Sequence, residues 1–124
     1  MPSRVLVARE LADLFKVFAH PDRVRIIEEL HGGELGVNDL GEILDLPSTR
    51  VSQHLSLLRA HRFVDERRDG RRHFYHLTLP EMADWIVNGL NFLEGRMRGV
   101  SAADINEAKT LWTGAAEDSA QSTN

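Results

Sequence analysis

The sequence predicts a mainly α chain with one β-hairpin, a winged helix-turn-helix, and three observations between residues 39 and 78 carry that prediction. Leu40, Ile43 and Leu44, and then Val51, Leu55 and Leu58, recur at helical spacing on either side of Pro47-Ser48, so two short helices meet at a tight break. Two strand-like runs, residues 63–68 and 71–77, flank Asp69-Gly70, a dipeptide suited to the positive φ angles of a hairpin turn. The second helix carries Ser48, Thr49, Arg50, Ser52, Gln53 and His54 in its first turns, side chains short or forked enough to touch base edges. Ser48 is placed to cap that helix, which reads as a recognition helix.

Composition bounds the alternatives. With 124 residues, 42% of them hydrophobic, the chain fits one small domain, taken as residues 1–112, and leaves little length for a separate catalytic unit. The formal charge of −4 argues against indiscriminate coating of nucleic acid. The distribution says more. Between Pro47 and His76 seven Arg stand against three Asp or Glu, a local surplus of four positive charges that leaves −8 on the remainder. Such a chain could orient its basic face on a duplex and keep its acidic body in solvent. Cysteine is absent, which removes disulfides, thiolate metal sites and thiol redox switches. No apolar run approaches the roughly 20 residues that span a bilayer, and MPSRVLVARELADLF is too interrupted by charge for a signal peptide, so a cytoplasmic location is expected. No nucleophile, base and orienting group stand together and no phosphate loop occurs, so an enzyme is not expected.

Along the chain, residues 4–19 place Leu11, Leu14, Phe15 and Phe18 on one helical face, and that helix should end near His20. Pro21 suits the first turn of the next helix, which holds Val24, Ile26, Ile27 and Leu30 and stops at Gly32-Gly33. His20 and His31 read as a boundary residue and a helix C-terminal residue, since neither has a ligand-type partner at i+3 or i+4. Residues 34–40 read as the approach to the third helix, with Asn38 near its cap. In the wing, side chains alternate, so His73 shares a face with Tyr75 and His76 with Phe74; the two histidines cannot converge on one ion. Arg67, Arg68, Arg71 and Arg72 are either a solvated hairpin tip or contacts to phosphate and minor groove, and their place beside a recognition helix favours the second. His54 is read as a DNA contact or a support of its helix. From Pro80 to Met97 the series Met82, Trp85, Ile86, Gly89, Leu93, Met97 forms an apolar seam that a chain of this size has little core to cover, so a partner subunit is expected there. Ser101 to Asp104 opens a short helix through Trp112, whose ring either packs back or lies exposed. Residues 113–124 are small and polar and are expected to be disordered.

The stretches FAHPDRVRIIEEL, GELGVNDLGEIL, STRVSQHLSLLRAHRFV and RRDGRRHFYHL occur in order between Leu11 and Glu94, and in this the chain resembles the ArsR/SmtB family of small bacterial winged-helix repressors. The resemblance implies a homodimer joined through helices at both ends, which assigns Leu11, Leu14, Phe15, Met82, Trp85, Ile86, Gly89 and Leu93 to the interface. It also implies double-stranded operator DNA as partner, an imperfect palindrome near its own gene, released when an effector binds. Metal-sensing members often read ELCVCDL where this chain has Gly36 and Asn38, so the soft-metal site of that type lacks its thiolates. Others carry Asp-x-His and His-x-x-Glu along the terminal helix; here Leu79, Glu81, Phe92 and Gly95 stand at those positions, and only Glu81 could bind metal. Neither familiar site can be completed, so no metal or cofactor is expected at them, and the effector stays open. Two alternatives remain: a winged-helix module that binds protein and not DNA, and a repressor using an unrecognised histidine and carboxylate metal site.

Overall fold

The computed structural model describes residues 2–94, Arg96 and residues 102–113. Its elements follow in the order α1 (Pro2–Phe18), α2 (Pro21–His31), β1 (Leu35–Gly36), α3 (Val37–Leu44), α4 (Ser48–Ala60), β2 (Val64–Asp69), β3 (Arg72–Leu77), α5 (Met82–Glu94) and α6 (Ala102–Thr113). The chain divides into two compact units, Met1–Thr78 and Leu79–Asn124, and each is described by itself.

In the first unit the helical spacing of apolar residues becomes burial. Ile26, Ile27, Leu40, Leu55 and Leu58 are fully buried, and Leu30, Leu44, Val51, Phe63 and Val64 nearly so. At about 1.5–3 kcal/mol for each large aliphatic side chain removed from water, this cluster fixes α2, α3 and α4 against one another. Phe18 meets Phe63 edge to face at 4.7 Å, which ties the end of α1 to the residue that opens the wing.

Local chemistry sets the helix ends. His20 is the N-cap of α2, its Nδ1 accepting from the Asp22 amide at 3.1 Å, and Pro21 follows at the first helical position. The α3 cap falls at Gly36, two residues before Asn38; the Asp39 carboxylate accepts from the Gly36 amide at 3.1 Å. After α3 the chain turns through Asp45 at φ 55°, and the Leu46 amide bonds to the Gly41 carbonyl at 3.0 Å. A side chain at 41 would meet the Leu46 carbonyl at 3.0 Å, so this tight break between the two helices needs Gly41. Ser48 does not cap α4: the N-cap is Pro47, no side chain bonds there, and Ser48 begins the helix itself. Its hydroxyl is therefore exposed and free of a capping role.

The sheet has three strands in the order β1-β3-β2, all antiparallel. The wing is the expected hairpin with its turn shifted by one residue. Asp69 pairs with Arg72, which leaves Gly70 and Arg71 as the loop, and only Gly70, at φ 62°, takes a positive angle. Two-residue β1 escaped the sequence reading because so short a segment has no alternation to detect.

In the second unit Met82, Ile105 and Trp112 are buried, and Lys109 pairs with Glu94 at 2.7 Å. Trp112 thus packs and is not exposed. Helix α6 runs to Thr113, so the expected boundary at residue 113 falls on its last residue. Met97, Ser101 and residues 114–124, where the end of the seam, a helix cap and the tail were expected, lie outside the described residues.

Candidate nucleic-acid interface

Helix α4 has two faces of opposite character. Val51, His54, Leu55 and Leu58 point inward and are buried, whereas Thr49, Arg50, Ser52, Gln53 and Ser56 are exposed. The outer face therefore holds donors and acceptors of the length that reaches base edges in a major groove. His54 is not among them. At 9% exposure it supports the helix from within, so its expected place with the base-reading side chains is corrected. The 3.6-residue repeat puts position 54 on the apolar face with Val51, Leu55 and Leu58.

Between the first turns of α3 and α4 and the wing lies an open groove of about 660 Å³, lined among others by Asn38, Ser48, Ser52, Arg71, Arg72 and Tyr75. Its walls are polar. The start of α3, capped by Asp39, forms one side and two arginines stand on the other, and the arginines are suited to phosphate.

The four wing arginines divide into two pairs. Arg67 donates to both carboxylate oxygens of Glu34, from Nε at 3.0 and 3.2 Å and from Nη2 as well, with its guanidinium 4.9 Å over the Phe74 ring. It reaches across the middle strand, since Phe74 faces Arg67 on one side and Gly36 on the other. This bond holds Glu34 below the usual carboxylate range and raises Arg67. Arg68 donates to Glu66 at 3.1 Å. Arg71 and Arg72 have no ion-pair partner among the described residues, and the same holds for Arg50 on α4. Arg67 and Arg68 thus brace the wing, and the free cations lie at its tip and on the outer face of α4.

Glu66 is the hub of the brace. Its carboxylate accepts from Arg59 Nη1 at 3.0 Å, Arg68 Nε at 3.1 Å and the Tyr75 hydroxyl at 3.3 Å, and meets His73 Nδ1. The hydrogen bond with His73, then that with Arg68, pushes its pKa down to about 2. His73 and Tyr75 do share a face, and both reach Glu66 because Tyr75 pairs with it directly and His73 is its diagonal neighbour. Burial and the Glu66 charge raise Tyr75 in turn. No sequence signal marked Glu66, whose role depends on strand register.

A second polar cluster lies behind α4. His54 faces Asp22 at 3.5 Å from its Nε2 and Arg23 at 3.4 Å from its Nδ1, and its ring stands 4.6 Å from that of His20. Burial first, then His20 and Arg23, lowers the pKa of His54, so a neutral ring is favoured.

The interface residues expected on the terminal helices separate as well. Leu11, Phe15, Trp85 and Leu93 are 47%, 56%, 47% and 40% exposed. Leu14 and Ile86 are half-buried, and Gly89 is exposed with open space around it. Met82, at 1% exposure, is corrected from an interface residue to part of the protomer's own core. No helix among the described residues is long and apolar enough to cross a membrane.

The chain matches the family model described as "Bacterial regulatory protein, arsR family" over residues 20–66. It is 38% identical over 83 residues to the biofilm growth-associated repressor of Agrobacterium fabrum, a match covering 67% of this chain and 71% of that protein. It is 34% identical over 80 residues to the HTH-type transcriptional regulator KmtR of Mycobacterium tuberculosis, covering 64% of this chain and 62% of that protein. The crystal structure of M. tuberculosis Rv0081 superposes with a TM-score of 0.66 at 32% identity, over 71% of this chain and 89% of that one. With the helix-turn-helix, the arginine-tipped wing and these matches together, the chain belongs to the arsR family of bacterial transcriptional regulators.

Proposed function

We propose that this regulator is a homodimeric repressor that reads an imperfectly palindromic operator with the outer face of α4 and holds the flanking phosphates with Arg50, Arg71 and Arg72. The observation that carries the reading is the division of α4. Its inner face is sealed by Val51, Leu55 and Leu58, and its outer face offers Ser48, Thr49, Ser52 and Gln53 beside cations that no carboxylate neutralises among the described residues. The winged fold and the relatives named as repressors support it; a protein-binding module would not need unpaired arginines beside base-length side chains.

The dimer is argued from exposed apolar surface. Val7, Leu11 and Phe15 recur at i, i+4 and i+8 on α1, each about half exposed, and Trp85, Phe92 and Leu93 are similarly open on α5. Solvent does not favour such stripes, and a second copy would bury each. Residues 1–112 would then form the DNA-binding and dimerisation domain. Two recognition helices entering successive major grooves stand about 34 Å apart. Footprinting of the protein on its own promoter tests the proposal. Two protected half-sites, one helical turn apart and occupied by one dimer, are expected; a single half-site occupied by a monomer contradicts it.

A further inference from the structure

We propose that His20, Asp22 and His54 form a binding site for a divalent transition-metal ion such as zinc or cobalt, joining the N-terminus of α2 to the inner face of α4. One ligand atom from each lies within 4.8 Å of the other two. Two imidazoles and one carboxylate are the donor set of borderline metals, with a fourth position left for solvent. A second observation is the burial of one of these donors. His54 Nε2 is buried and faces Asp22 Oδ2 at 3.5 Å, a long contact with no closer hydrogen bond; Arg23 donates toward Nδ1, so in the neutral ring Nε2 carries the proton that an ion would displace. An ion between this nitrogen and the carboxylate would satisfy both, the displaced proton moving to Nδ1 at the cost of the Arg23 contact. The pattern was invisible in the sequence because His54 is distant along the chain and His20 has only a carboxylate at i+2.

Donor atoms round a tetrahedral zinc stand roughly 3.3 Å apart, so the cluster must close by up to about 1.5 Å. His20 and Asp22, both half-buried, have the freedom to do so while His54 stays fixed. The closure has a chemical consequence. His20 Nδ1 now accepts the Asp22 amide. If Nδ1 takes the metal its lone pair is lost to the amide, and if Nε2 does, the proton moves to Nδ1 and the cap is lost equally. Ion binding therefore exchanges the α2 cap for a tie to the recognition helix. Arg23 and the positive end of α2 oppose a cation and Asp22 offsets only one charge, so the site is exchangeable and unlike a closed structural zinc.

The inference extends the reading as a repressor, but its test involves no DNA, so the two fail separately. Metal-free full-length protein is titrated calorimetrically with zinc chloride, and with cobalt chloride while visible absorption is followed. One ion per protomer is expected, with nitrogen- and oxygen-type cobalt bands. His20→Asn keeps a good cap residue and removes the imidazole; it and Asp22→Asn, a second variant that preserves chain length and shape, should each weaken binding by roughly tenfold or more with circular dichroism unchanged. Absence of binding to the wild-type protein overturns the proposal. So does undiminished binding in both variants, which would place the ion elsewhere.

Discussion

Arg59 near the end of α4 and Glu66 on the first wing strand are joined at 3.0 Å, so the second helix of the helix-turn-helix and the wing are one braced unit. The same carboxylate holds Arg68, His73 and Tyr75. The brace explains why half of the wing arginines are held by carboxylates along the sheet while Arg71 and Arg72 are left at the tip. Glu66→Gln keeps the shape and removes the charge. It should weaken operator binding several-fold while far-ultraviolet circular dichroism stays unchanged, and fluorescence anisotropy with a labelled operator checks it.

Acid should release the brace in a defined window. Glu66 titrates at about 2 in the folded chain against an ordinary 4.5, so its stabilising contribution is complete above about pH 4.5 and is lost as pH falls toward 2. The groups that face it are Arg59, Arg68, His73 and Tyr75, with Asp65 alongside. Unfolding midpoints measured from pH 5 down to 2 should fall more in the wild type than in Glu66→Gln, and parallel curves would deny Glu66 this role.

Arginines of one hairpin should behave as two classes. Arg71→Ala and Arg72→Ala should each weaken specific and random DNA nearly alike and flatten the salt slope by about one unit. Arg67→Ala breaks the bridge to Glu34 across Phe74. Its main effect should be a looser wing, seen as faster amide exchange in residues 64–77, with a smaller change in salt slope.

Leu55→Ala probes the other face of α4. Leu55 is fully buried, so truncation should cost about 2–5 kcal/mol, read from urea midpoints. Ser56→Ala, one residue on and exposed, should cost under about 0.5 kcal/mol.

Most of the architecture was legible because it rests on short-range signals. Helical spacing gave both helices of the break, Pro21 and Gly32-Gly33 gave the bounds of α2, and Asp69-Gly70 gave the hairpin to within one residue. What was hidden depends on who meets whom across the fold. Residue type suggests that Ser48 caps, that His54 contacts DNA or supports its helix and that Met82 faces a partner; tertiary placement reassigns the first and last and puts His54 in the supporting role. Strand register, which no local pattern encodes here, turned Glu66 from an unremarked acid into the hub of the wing and divided the arginines. The cluster of His20, Asp22 and His54 is the same kind of fact, an encounter between the start of one helix and the inner face of another.

The central claim is that the outer face of α4 reads sequence, and Gln53 is its most direct probe. Binding of wild type and Gln53→Ala to the protein's own promoter fragment and to a shuffled duplex is measured by anisotropy over a range of salt. Gln53→Ala should lose about 1–3 kcal/mol on the promoter fragment, much less on the shuffled duplex, and leave the salt slope unchanged. Equal losses on both duplexes, or a wild-type protein that binds the two alike, would contradict it.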